Sequence, residues 1–265
     1  PVPESGTSGV TIEPDDPDIE AGEVEVPGEE GMLTAYQARP SGEAPFAAIL
    51  LIHENRGLTE HIKDVARRFA KVGYVGLAPD MLSRTGGTAQ FSDEAETTTA
   101  ISELDQGGVI SDMQSSVTWL EQQPYVQEDR IGGIGWCWGG GQAWRLATQE
   151  LRVNAVVSFY GPNPPLEDVP NIQAAVLGIY GEEDSRITDQ EPDLEQALDH
   201  ISPAQQHLPL HRGQVLSGVR VPLHRGASVG QTVLQRELVD HGDGGALLQR
   251  PVCSCRLQQG RGQFP

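Results

Sequence analysis

Cys137 stands in the run Gly135-Trp136-Cys137-Trp138-Gly139-Gly140-Gly141. An apolar stretch, Arg130 to Ile134, leads into it, and a helical pattern, Gln142 to Glu150, leads out. A nucleophile on a strand-to-helix turn needs small residues two positions before and two positions after it. Strand and helix must approach each other there while the backbone between them is strained. Gly135 and Gly139 meet that demand. A thiol so placed can attack a carbonyl carbon, and the amide dipoles at the start of the following helix favour its thiolate. The competing reading of a lone cysteine is a small buried hydrophobe. The two glycines at these offsets weigh against it.

Two more strand ends carry polar groups. The apolar run Ala47 to Ile52 is followed by His53-Glu54-Asn55-Arg56-Gly57, and the run Ala174 to Tyr180 by Gly181-Glu182-Glu183-Asp184. Glu54 reads by itself as the partner of Arg56 in a surface ion pair. Asp184, just past a strand, reads by itself as a turn residue or the N-cap of a following turn. Trp136 and Trp138 flank the thiol as packing residues or as an aromatic wall against substrate. His53 is expected to be packed and hydrogen-bonded, because it precedes the cysteine in the chain.

These groups need a frame. Glu23 to Val26 and Gly31 to Ala38 alternate as a hairpin. Ala47 to Ile52, Tyr74 to Ala78, Asn154 to Tyr160 and Ala174 to Tyr180 are the continuous apolar runs of strands covered on both faces. Helical patterns run from a Thr59 cap to Ala70, from Gly108 to Gln122 and from Pro192 to Leu198. The polar stretch Met81 to Gly108, with a short helix at Asp93 to Leu104, has the length of a loop that covers a site. The alternation predicts an α/β fold with a mostly parallel sheet and helices on both faces. Ligands gather at the carboxyl ends of such strands. The organisation expected is a mobile lead-in over 1–19, a domain over 20–199 and an atypical tail over 200–265.

With those residues in hand, the chain resembles the dienelactone hydrolase family of α/β-hydrolases over about 20–198. Three segments carry the resemblance: Ile-His-Glu-Asn-Arg-Gly at 52–57, Gly-Trp-Cys-Trp-Gly-Gly at 135–140 and Gly-Glu-Glu-Asp-Ser-Arg-Ile at 181–187. It implies a hydrolase of small lactones or activated esters, similar to carboxymethylenebutenolidase, that needs no cofactor. Cys137 is then the nucleophile, Asp184 orients a histidine, and Glu54 helps to generate the thiolate. The oxyanion hole comes from the Trp138 N–H and an amide near Asn55. Arg56 and Trp136 would meet the substrate, Arg56 through a planar fork suited to a carboxylate.

The resemblance implies a histidine about thirty residues past Asp184, beyond one more strand. The tail departs from that pattern. Residues 1–199 hold 35 acidic and 11 basic residues, whereas 200–265 hold 3 acidic and 7 basic. Five of the seven histidines lie in the tail, which has a single aromatic residue, Phe264. Its Pro-Leu-His-Arg-Gly motif occurs twice, at 209–213 and 222–226. No period marks a last strand and helix. Either the tail is a genuine divergent segment or it is read in a shifted frame. Codons for Val233 to Glu237, read one nucleotide later, can encode Phe-Phe-Asn-Glu, which resembles the residues just past the family's histidine. The DNA across codon 199 decides between these readings. By spacing, His211 is the expected histidine, 27 residues past Asp184; His207 and His224 are the alternatives.

The formal net charge of −20 repels nucleic acid and anionic membrane, so a small molecule is the expected partner. Only two lysines occur, Lys63 and Lys71, and this acidic, lysine-poor composition resembles that of proteins from salt-loving organisms. Three cysteines, Cys137, Cys253 and Cys255, form no disulfide framework. They point to a reducing compartment, the cytoplasm. Cys253-Ser254-Cys255 lacks a second pair at ligand spacing, so no metal site is expected.

Overall fold

The computed structural model describes residues 10–181, 184–199 and 214–216. In chain order the strands and helices are β1 (Ile19–Gly28), β2 (Gly31–Pro40), β3 (Phe46–Ile52), α1 (Glu60–Lys71), β4 (Val75–Pro79), α2 (Glu94–Ser102) and α3 (Gln106–Glu121). There follow β5 (Val126–Trp136), α4 (Trp138–Gln149), β6 (Ala155–Phe159), β7 (Ala175–Ile179), α5 (Ser185–Thr188), α6 (Glu191–Asp199) and β8 (Gln214–Leu216). The strands form one sheet in the order β1-β2-β4-β3-β5-β6-β7-β8. The β1–β2 hairpin and the β2–β4 pair are antiparallel, and every pair from β4 to β8 is parallel. This is the predicted α/β-hydrolase fold. No described helix is long and apolar enough to cross a membrane.

Strand alternation sends neighbouring side chains into two cores. On one face α1 buries Ile62, Val65, Ala66 and Phe69 against Tyr36, Leu51, Ala78 and Trp136. On the other, Met113, Val117 and Leu120 of α3 and Trp144 and Leu146 of α4 pack on Leu50, Ile52, Leu77 and Ile131. The apolar runs read from sequence are therefore buried on both faces.

Helix starts differ from the pattern in instructive ways. Thr59 occupies the N-cap of α1, but its hydroxyl makes no capping bond. The start of α3 lies two residues earlier than expected because the Asp105 side chain accepts from the Gly108 N–H. Asp93 caps α2 in the same way, through the Ala95 and Glu96 amides. The largest change is α4, which begins at Trp138 rather than Gln142 and takes the glycine triplet into its first turn. Glycine costs about 1 kcal/mol per helical position, so packing has to offset it.

From residue 10 the lead-in is strapped to α1 rather than loose. The buried Asp64 carboxylate accepts from the amides of Thr11 and Ile12, both at 2.9 Å, and from the Thr11 hydroxyl at 3.1 Å. Arg67 Nε donates to the Ile12 carbonyl at 2.6 Å, and Lys71 pairs with Asp16 and Asp18. Thr11→Val is expected to cost about 1 kcal/mol in a urea titration, the worth of one such bond.

At the other edge, three residues of the tail add β8 to β7, in the register Leu177↔Gln214 to Ile179↔Leu216. The sequence pattern marks no strand there. An open parallel edge offers a row of unpaired N–H and C=O groups, and a three-residue strand is enough to use them.

Candidate active site

The carboxyl ends of β3, β5, β6 and β7 bring Glu54, Cys137, Tyr160 and Asp184 to one end of the sheet. Cys137 lies between β5 and α4 with φ 55° and ψ −118°, a conformation that costs a non-glycine residue about 1–3 kcal/mol. Two bonds hold it there: its N–H donates to the Phe159 carbonyl at 3.0 Å, and its carbonyl accepts from the Gly141 N–H at 3.2 Å. The flanking glycines have no room for a side chain. A Cβ on Gly135 would lie 2.0 Å from the Gly139 carbonyl oxygen. One on Gly139 would lie 2.3 Å from the carbonyl oxygens of both Ile52 and His53. A Cβ on Gly140 would lie 2.5 Å from the Phe159 carbonyl oxygen, so β3 and β6 press on the first turn of α4 and only glycine fits there.

The thiol is half-buried and free. Burial pushes its pKa up, and Glu54 and Asp184 act in the same direction. The Trp138 N–H, directed at the sulfur from the start of α4, and the Arg186 guanidinium oppose them without prevailing. The helix start thus favours the thiolate as expected, but in the resting site burial outweighs it.

Glu54 does not pair with Arg56. Its Oε1 accepts a 2.7 Å hydrogen bond from the Tyr160 hydroxyl. Arg56 instead meets Glu94 of α2 at 3.4 Å, with both side chains more than half exposed. The cation whose field reaches Cys137 is Arg186, which also lies 3.4 Å from Asp184 Oδ2. Arg186 belongs to the 181–187 motif, but spacing alone assigns it no role. Asp184 is the N-cap residue of α5, without a side-chain capping bond, and its charge bears on the thiol; the histidine it is expected to orient lies outside the described residues.

Trp136 is a core residue. It is buried and stacks on Phe159, with centroids 5.9 Å apart, so the expected substrate contact is replaced by packing. Trp138 is half-buried and stacks on His53 at 5.7 Å. His53 is fully buried, with Nε2 accepting from the Met81 N–H at 3.1 Å. Its proton therefore resides on Nδ1 and is donated to the Glu54 carbonyl at 2.7 Å. Both ring nitrogens are occupied, and burial pushes its ionisation down, so it is the packed histidine the chain order implied.

The 81–105 segment lies against the Glu54–Leu58 loop. The Thr98 hydroxyl of α2 donates to the Asn55 carbonyl at 3.1 Å. The Thr88 hydroxyl accepts from the Leu58 N–H at 2.9 Å and donates to Asp80 at 2.8 Å. The described histidines are His53 and His61; His207, His211 and His224 lie outside the described residues.

A mostly parallel sheet with a cysteine in this strained turn, and carboxylates at the carboxyl ends of nearby strands, has the α/β-hydrolase fold. The sequence profile of the dienelactone hydrolase family matches residues 33–212. The chain belongs to that family. A relative from Methylorubrum extorquens is 35% identical over 188 residues, 67% of this chain and 65% of the relative. One from Escherichia coli K12 is 29% identical over 192 residues, 68% of this chain and 70% of that one. Both are named "Putative carboxymethylenebutenolidase". The chain thus spans about two thirds of the length of these curated relatives. Among solved structures, a dienelactone hydrolase-like promiscuous phosphotriesterase from metagenomic libraries superposes with a TM-score of 0.62 at 25% identity, over 69% of this chain and 78% of that one. A dienelactone hydrolase from Anabaena variabilis superposes with a TM-score of 0.54 at 25% identity, over 69% of this chain and 81% of that one.

Proposed function

We propose that this chain hydrolyses small lactones or activated esters with Cys137 as nucleophile. The observation that carries the reading is the Cys137 backbone at φ 55°, wedged between two glycines that touch β3 and α4. In the reaction the sulfur bonds to the substrate carbonyl carbon and the thiol proton passes to a base. Glu54, whose charge bears on the thiol, is the base this reading assigns to it. The oxyanion would accept from the Trp138 N–H and from an amide of the loop at Asn55. Collapse expels the alkoxide, which takes up a proton, and leaves an acyl-thioester. Water, deprotonated by a histidine, then adds to the thioester and releases the acid and the thiol.

Asp184 is the acid proposed to orient that histidine. The direction of β8 bears on which histidine it is. β8 runs parallel to β7, so its carboxyl end, at Leu216, is on the side of Cys137. His224 comes after β8 in the chain, while the spacing-based candidate His211 precedes it. This supports His224.

A second reading, a scaffold that binds a small carboxylate or lactone without turning it over, is favoured by the Asp184–Arg186 pair, in which a cation lies 3.4 Å from the acid. Release of p-nitrophenol from p-nitrophenyl acetate at high salt separates the two. The hydrolase gives many equivalents per chain. In that case His224→Ala is expected to give one equivalent and stop, and His211→Ala to keep turning over. Absence of both product and adduct from the unaltered chain would sink the hydrolase reading.

A further inference from the structure

Among the described residues only two non-glycine residues have a positive φ: Cys137 at 55° and Tyr160 at 41°. They sit side by side across the sheet, at the carboxyl ends of the adjacent parallel strands β5 and β6. Cys137 donates its N–H to the Phe159 carbonyl, and Tyr160 donates its N–H to the Ile179 carbonyl at 2.8 Å. An aromatic residue is strongly disfavoured in this backbone region. Gly161 leaves Tyr160 little room to relax, since a Cβ there would lie 2.2 Å from the Gly140 carbonyl carbon. A glycine at 160 would satisfy the backbone without strain. What tyrosine adds is the phenol, and the phenol donates to Glu54 across 106 positions of the chain.

We propose that Tyr160 is a positioning residue that latches the Glu54 carboxylate beside the Cys137 thiol and thereby sets how readily the thiol ionises. The inference rests on the hydrolase reading of this site and adds to it a residue outside the triad. With Oε1 taken by the phenol, Oε2 is left to receive the thiol proton. Among the described residues, the charged groups whose fields reach the thiol are Glu54 from the loop after β3 and Asp184 and Arg186 from the loop and helix after β7, with the Tyr160 phenol beside them. Burial and the Glu54 charge push the phenol's own pKa far up, so it stays protonated and remains a donor throughout the accessible pH range. Of the two carboxylates, Glu54 is the one the latch holds in place.

The test is the pH dependence of Cys137 alkylation by iodoacetamide, read on the Cys137 peptide so that Cys253 and Cys255 do not contribute. Glu54→Gln removes a repelling charge and is expected to lower the midpoint by about half a pH unit or more, or about threefold faster alkylation below it. Tyr160→Phe frees the carboxylate to turn to water and is expected to lower the midpoint similarly. The double variant is expected to match Glu54→Gln alone, because the phenol acts only through Glu54. An unchanged or raised midpoint in Tyr160→Phe overturns the proposal, as does an unchanged midpoint in Glu54→Gln or full addition of the two shifts. Alkylation needs no ester turnover, so this outcome is independent of whether the chain proves to be a hydrolase.

Discussion

Cys137→Ala is expected to lower kcat/KM for an activated ester by about a thousandfold or more, with little change in thermal stability. The loss comes from removing the atom that bonds to the carbonyl. Of the nearby groups, Tyr160 is a phenol held un-ionised by burial, and Glu54 is engaged with it. Neither replaces a thiol as nucleophile. The residual rate would come from the Trp138 amide and the binding of substrate next to water. Stability should hold because alanine meets the same backbone strain at φ 55° as cysteine and fills nearly the same space. Steady-state kinetics beside a melting curve check both halves. A variant that keeps its activity would place the chemistry elsewhere.

Gly139→Ala is expected to destabilise the fold by about 3 kcal/mol or more and to abolish acylation. The added methyl would lie 2.3 Å from two backbone oxygens, those of Ile52 and His53. Such contacts are relieved only by moving β3 away from α4. Ile52 is fully buried, and β3 pairs with strands on both sides, so the sheet resists. Any movement also shifts the loop that carries Glu54 and Asn55. Gly22→Ala is the control, because a Cβ at Gly22 on β1 meets nothing within 4 Å. It is expected to change stability by no more than about 0.5 kcal/mol. Urea midpoints of the two variants decide the matter: equal midpoints would mean that the close approach at the turn is not a constraint.

The strands and the two long helices are legible in the sequence because burial imposes a period, and Ile62, Val65, Ala66 and Phe69 show it directly. The elbow is legible for a different reason: close approach requires glycine at fixed offsets, so the constraint leaves a mark in sequence. The same glycines hide the start of α4, since helix propensity counts them as breakers while packing requires them. Trp136 carries no mark to tell a core ring from a substrate wall; only the strand's alternation places it against Phe159. Arg56 stands two residues from Glu54, yet it pairs with Glu94, because spacing in a loop does not set side-chain direction. Tyr160 is invisible as a site residue in the sequence. An aromatic at positive φ has no sequence signal, and its partner is far away in the chain. β8 is too short for any period, so the end of the sheet and the order of the tail histidines around it leave no pattern to read.

The central claim is that Cys137 becomes acylated. Mixing the full chain with p-nitrophenyl acetate at high salt, quenching in acid within the first turnover and measuring intact mass tests it directly. The account predicts one acetyl group per chain, mapped to the Cys137 peptide and missing in Cys137→Ala, with p-nitrophenol released in step. Product release with no acetyl group on Cys137, or an acetyl group mapped to another residue, would contradict it.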